Sequence, residues 1–127
     1  MNGLARKLRR IHVLLIDNDQ PERNFIRTVL EFSGAIVTVA GTADALRAAL
    51  IADVIVCDLA SAEMAGSEFF YQLRYEVRLG RMMPAIALVP AGTRSDRVRK
   101  AGAFQMFVTK PVDVGELRDI VLEAASQ

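Results

Sequence analysis

Three apolar runs in this 127-residue chain stop on groups that can do chemistry. The first runs into Asp17-Asn18-Asp19, the second ends on Asp58, and the third leads into Thr109-Lys110-Pro111. Carboxylates with an amide make an oxygen-rich set that suits Mg²⁺, a hard cation that takes a few carboxylates and keeps water. A carboxylate held beside such a cation can attack phosphorus and carry an acyl phosphate. Lysine is a point charge suited to a phosphoryl oxygen. On the residue types alone, Asp58 is a nucleophile or a ligand.

These groups can meet only if the elements before them align. Short apolar runs lie at 12–17, 35–40, 53–58, 84–89 and 106–110, mostly apolar at successive positions. That pattern marks strands covered on both faces, as in a parallel sheet. Helical spacing fills the intervals. In 21–34, Phe25, Ile26, Val29, Leu30 and Phe32 fall on one side, and Gly34 offers a stop. Thr42 caps a helix over 42–52, and 66–80 stripes Phe69, Phe70, Leu73 and Val77. A short polar helix is expected over 93–102. The last, capped by Asp113, stripes Val114, Leu117, Ile120 and Val121. A strand-helix alternation repeated five times implies an α/β fold, with a parallel sheet, right-handed crossovers and helices on both faces. Sites in such sheets form beyond the carboxyl ends of the strands. The three acidic and basic termini then share one rim if the first, third and fifth strands are near neighbours.

Composition narrows the partners. Hydrophobic residues make up 52% of the chain, enough for a core, and the formal net charge of +1 gives no global pull toward nucleic acid or membrane. No apolar run approaches the roughly 20 residues of a membrane helix. The single Cys57 cannot form an internal disulfide, which suits a reducing cytoplasm. Residues 1–10 read as a basic extension and 11–125 as one domain. His12, the lone histidine, opens a strand at the end opposite the carboxylates and reads as strand packing or solvation.

With those residues in view, the chain resembles a response-regulator receiver domain, the phosphoacceptor half of two-component signalling, over about residues 11–125. The family ends its first strand in a pair of acids, here Asp17 and Asn18. It ends its third in the phosphoacceptor, followed by a loop that is here "DLASAEMAG", and its fifth in lysine-proline, here Lys110-Pro111. The resemblance implies a flavodoxin-like (βα)5 three-layer sandwich with five parallel strands in the order 2-1-3-4-5. It implies that Asp58 accepts a phosphoryl group from a sensor histidine kinase, a phosphotransfer protein or a small phosphodonor. Mg²⁺ would be held by Asp17, Asn18, Asp58 and the carbonyl of Ala60. Lys110 would contact the phosphoryl oxygens across a cis Lys110-Pro111 bond. Phe107 would be the switching aromatic. The domain would be a cytoplasmic signalling module, not a turnover enzyme, standing alone or cut from a longer regulator.

Three positions depart from the family pattern. Asn18 replaces an acid. Val89 stands where the family has a hydroxyl, and Pro90 lacks the amide N–H expected next to it. These favour an alternative, a phosphorylation-independent pseudo-receiver acting as an interaction module. A Mg²⁺-dependent phosphohydrolase is disfavoured because Ala60 replaces the proton-transferring acid it would need. A flavin site is disfavoured because the loop after the first strand is acidic. The region after the fourth strand is basic (Arg94, Arg97, Arg99, Lys100), while the last helix is acidic (Asp113, Glu116, Asp119, Glu123). Many receivers use the helix 4–strand 5–helix 5 face for partners. A two-fold homodimer could match these charges.

Overall fold

The computed structural model describes residues 7–41, 44–45, 49–76, 81–94 and 104–126. Five strands form the sheet: β1 (His12–Ile16), β2 (Ile36–Val39), β3 (Val54–Asp58), β4 (Ala85–Val89) and β5 (Met106–Thr109). All neighbours pair parallel, in the order β2-β1-β3-β4-β5. This is the expected 2-1-3-4-5 order, and it puts β1 and β3 side by side with β5 two strands from β3. Four helices accompany the sheet among the described residues: α1 (Gln20–Phe32), α2 (Leu59–Ala65), α3 (Ser67–Arg74) and α4 (Val114–Ala125).

Alternation along the strands sends side chains into two separate apolar layers. Val13, Leu15, Val54 and Val56 meet Ile26 and Leu30 of α1 and Leu117 and Val121 of α4. Leu14, Ile16, Ile55 and Cys57 meet Leu59 and Ala62 of α2 and Leu73 of α3. β3, β4 and the inner residues of β1 are covered on both faces, which explains their unbroken apolar runs. Leu8, in the stretch read as an extension, is fully buried in the first of these layers, and its N–H donates to Ser33 O at 2.9 Å.

Several helices differ from the reading of the sequence. The stripe on α1 is narrower than expected: Ile26 and Leu30 are buried, but Phe25 is 50% and Phe32 77% exposed. A helix lying on a flat sheet buries a row at i, i+4 and leaves its flanks in water. The stretch after Asp58 is a helix, not a loop. Ala60, Ala62, Glu63, Met64 and Ala65 are helix formers, Asp58 caps it, and Gly66 ends it at φ +94°. The helix expected over 66–80 stops at Arg74, where Tyr75–Glu76 pairs antiparallel with Arg81–Met82. Extended Tyr75 (φ −95°, ψ 107°) ends the helical run. The helices expected over 42–52 and 93–102 lie largely outside the described residues, and so does most of the basic stretch.

Candidate functional site

The ends of β1, β3 and β5 each deliver one group to the rim. Asp17 follows β1 directly and is 1% exposed. Asp58 is the last residue of β3 and is 6% exposed. Lys110 follows β5, and its N–H donates to Val89 O at 2.7 Å. Its ammonium lies 2.6 Å from Asp58 Oδ1. The Lys110–Pro111 bond is cis.

Glu22 joins this group and was missed by sequence reasoning, which took "DNDQPE" as an acidic loop. Asp19 caps α1 by accepting the Glu22 N–H at 3.4 Å, and Pro21 sits in the first turn. The turn so formed brings the Glu22 carboxylate to the rim, with Oε1 at 2.9 Å from Lys110 Nζ. Asp17, Glu22 and Asp58 each offer an oxygen, and these atoms lie within 4.8 Å of one another. A readable signal was the acid in the first turn of a helix that starts immediately after a rim carboxylate.

Other expected residues stand elsewhere. Asn18 is exposed, and its N–H donates to Ser61 Oγ at 3.1 Å. Ala60 is the second residue of α2, so its carbonyl runs along the helix axis, away from Asp58 at the N-terminal end. Val89 is 4% exposed and packs in the same layer as Cys57, Ala87 and Phe104. Pro90 O accepts from the Thr93 N–H at 3.2 Å and from its hydroxyl. Phe107 is 37% exposed, with its ring 6.2 Å from that of buried Phe104. Of the acidic residues on α4, Asp119 lies near Lys7 (3.6 Å) and Arg118 (3.3 Å).

The electrostatics follow from crowding three carboxylates around one amine. Asp17 is pushed up to about 8, chiefly by burial and then by its hydrogen bond with Glu22, which only a protonated carboxyl can donate. Burial opposes charge on Lys110, yet Asp58 and Glu22 together hold it above its ordinary value. Burial, then the charges of Asp58 and Asp17, push the Cys57 thiol far up, so it is inert. Two acceptor oxygens, Asp17 Oδ2 and Glu22 Oε2, are buried with no donor. Oxygens of this kind call for a shared proton or a cation. The residues present therefore fit a hard divalent cation.

No family model matches the chain. It is 36% identical over 118 residues to an uncharacterized 14.6 kDa protein from the sodA1 3′ region of Leptolyngbya boryana, covering 90% of this chain and 89% of that protein. It is 34% identical over 112 residues to the KDP operon transcriptional regulatory protein KdpE of Escherichia coli (strain K12). That match covers 84% of this chain and 48% of KdpE, so the chain spans about half of KdpE. The Francisella response regulator 1452 receiver domain superposes with a TM-score of 0.74 at 26% identity, covering 92% of this chain and 98% of that one. A response regulator of Chloroflexus aurantiacus J-10-fl gives 0.79 at 22% identity, with the same coverage. The receiver domain of Saccharomyces cerevisiae Ssk1, crystallised with the histidine phosphotransfer signaling protein Ypd1, gives 0.71 at 18% identity, covering 94% and 91%. The last two speak to the fold alone.

Proposed function

This chain belongs to the receiver-domain family of two-component response regulators, and we propose that within it Asp58 is the phosphoacceptor, charged by a histidine kinase or phosphotransfer protein. The observation that carries this reading is the 2.6 Å contact of Lys110 Nζ with Asp58 Oδ1, beside the buried carboxylate of Asp17 and the half-buried one of Glu22. In the transfer, a carboxylate oxygen of Asp58 attacks phosphorus, and the bond to the donor breaks with its electron pair on the leaving group. Lys110 then turns from the carboxylate to the phosphoryl oxygens. Asp17, Glu22 and Asp58 would hold Mg²⁺, with Asn18 and the Ala60 carbonyl contributing only after local rearrangement. Bound there, the metal supplies charge neutralisation for in-line transfer.

The Ssk1 receiver was crystallised with a histidine phosphotransfer signaling protein, and a partner of that type is the one proposed for this chain. The acidic face of α4 supports contact with a basic surface, such as that of a second copy. No helix among the described residues is long and apolar enough to cross a membrane, and a buried free thiol supports a cytoplasmic setting.

The test is to incubate the protein with Mg²⁺ and a small acyl phosphate or phosphoramidate and read intact mass. Wild type gains one phosphoryl group and Asp58→Ala gains none. A second reading, the phosphorylation-independent pseudo-receiver, is favoured by buried Val89 and by Pro90, which offer no donor to a phosphoryl group. It is the reading that stands if wild type gains nothing.

A further inference from the structure

We propose that the Ser61 hydroxyl sets how long a phosphoryl group stays on Asp58, an inference that rests on the phosphoacceptor reading above. Ser61 is 2% exposed. Its backbone N–H and its hydroxyl both reach Asp58 Oδ2, each at 3.0 Å. The direction of the hydroxyl bond is set from outside. The Asn18 N–H donates into Ser61 Oγ at 3.1 Å, which leaves the single hydroxyl proton for Asp58. Oδ2 therefore has two donors, while Oδ1 faces the Lys110 ammonium at 2.6 Å. With Oδ2 held by those two donors, Oδ1 is assigned as the oxygen that bonds phosphorus.

Once Oδ1 is bound to phosphorus, Oδ2 is the carbonyl oxygen of an acyl phosphate and carries no full charge. In hydrolysis, water attacks phosphorus and the P–Oδ1 bond breaks. Its electron pair returns to the carboxylate, and the protons of the water pass to inorganic phosphate and solvent. Phosphoryl transfer has a loose transition state, so charge grows early on the leaving carboxylate. The two Ser61 donors are already aimed at the oxygen that shares that charge. A hydrogen bond to an ionised acceptor is roughly twice as strong as one to a neutral acceptor, so the hydroxyl stabilises the departing carboxylate more than the acyl phosphate. Ser61 thus speeds loss of the phosphoryl group.

Wild type, Ser61→Ala and Ser61→Thr are loaded with Mg²⁺ and a small acyl phosphate, stripped of donor by rapid desalting, and followed by intact mass. The alanine variant keeps its phosphoryl group about fivefold longer than wild type, the difference between a charged and a neutral hydrogen bond. Its loading is no slower, because a carboxylate with one donor fewer is the better nucleophile. Threonine restores the wild-type lifetime. A site merely loosened by the substitution would load more slowly instead. If wild type and Ser61→Ala load equally and decay equally, or if threonine decays like alanine, the proposal is overturned while the phosphoacceptor reading stands. If wild type does not load at all, that reading falls and this one falls with it.

Discussion

The strand ends that make up the rim are built differently. At the ends of β1, β3 and β5, Lys110 is bonded to Asp58 at 2.6 Å and to Glu22 at 2.9 Å, and Asp58 Oδ2 takes two donors from Ser61. At the end of β4, between β3 and β5, stand Val89, sealed in the apolar layer, and Pro90, whose carbonyl is engaged by Thr93. The first set carries the groups that the proposed cation and phosphoryl group would need. Val89 and Pro90 offer a phosphoryl group no side-chain hydroxyl and no N–H. The proposed chemistry and its transmission through β4 can therefore be perturbed at separate residues.

The largest effect is expected from the proton at Asp17. Its folded pKa of about 8 lies above the ordinary 3.8, so folding takes up a proton. The stabilisation this gives is fully present below the unfolded value and is lost as pH rises through the folded one. In the presence of EDTA, unfolding free energy should fall between pH 4 and pH 8 by up to about 1.4 kcal/mol per unit from this residue. Asp17→Asn should flatten that decline, read by urea unfolding at several pH values. Mg²⁺ should stabilise wild type more at pH 9 than at pH 6, because proton and cation compete for the same oxygens. A flat wild-type profile would mean that Asp17 is ionised and paired in some other way.

Removing the amine comes next. Breaking a buried ion pair costs roughly 3–5 kcal/mol. Lys110 is 24% exposed, so Lys110→Ala in EDTA should cost about 2 kcal/mol after discounting for solvent screening. Glu22→Gln in that background should return part of the loss by removing one like charge. If Lys110→Ala unfolds like wild type, the carboxylate cluster is held by shared protons, not by the ammonium.

How much of this was legible follows from which residues had a local signal. Asp17, Asp58 and Lys110 could be read because each interrupts an apolar run, and a parallel sheet leaves strand ends only one rim to share. Glu22 was passed over because its one signal, an acid in the first turn of a helix, already has a sufficient local reason, the helix dipole. Its reach to Lys110 depends on how α1 leaves β1. Ser61 looked like one more small residue in an alanine-rich stretch, and only the helix capped by Asp58 turns it inward. Phe25 and Phe32 fit the apolar period yet face water, since periodicity gives an angle around the helix and not the width of the face that is covered. Leu8 sat among basic residues, and its burial depends on the apolar layer that Ile26 and Leu30 of α1 share with Leu117 and Val121 of α4.

The smallest effect, and the sharpest test of the comparison, lies at the end of β4. A phosphoryl group can shift a two-state element only through contacts that differ between the states. Without a hydroxyl at Val89 or an amide at Pro90, the link from phosphorus to β4 and Phe107 is thin, so the response of wild type to beryllofluoride and Mg²⁺ should be small in backbone NMR. Val89→Thr with Pro90→Ala restores both donors. A hydrogen bond to a charged group contributes roughly 1.5–3 kcal/mol, and part of that is lost in burying the new hydroxyl, so a shift of about tenfold in the two-state ratio is expected. New shifts should spread through Phe104, Phe107 and the strand that carries Lys110. If wild type already shows large shifts there and the double variant adds nothing, transmission does not run through β4. The α2 cap formed by Asp58 and Ser61 would then be a route to test next.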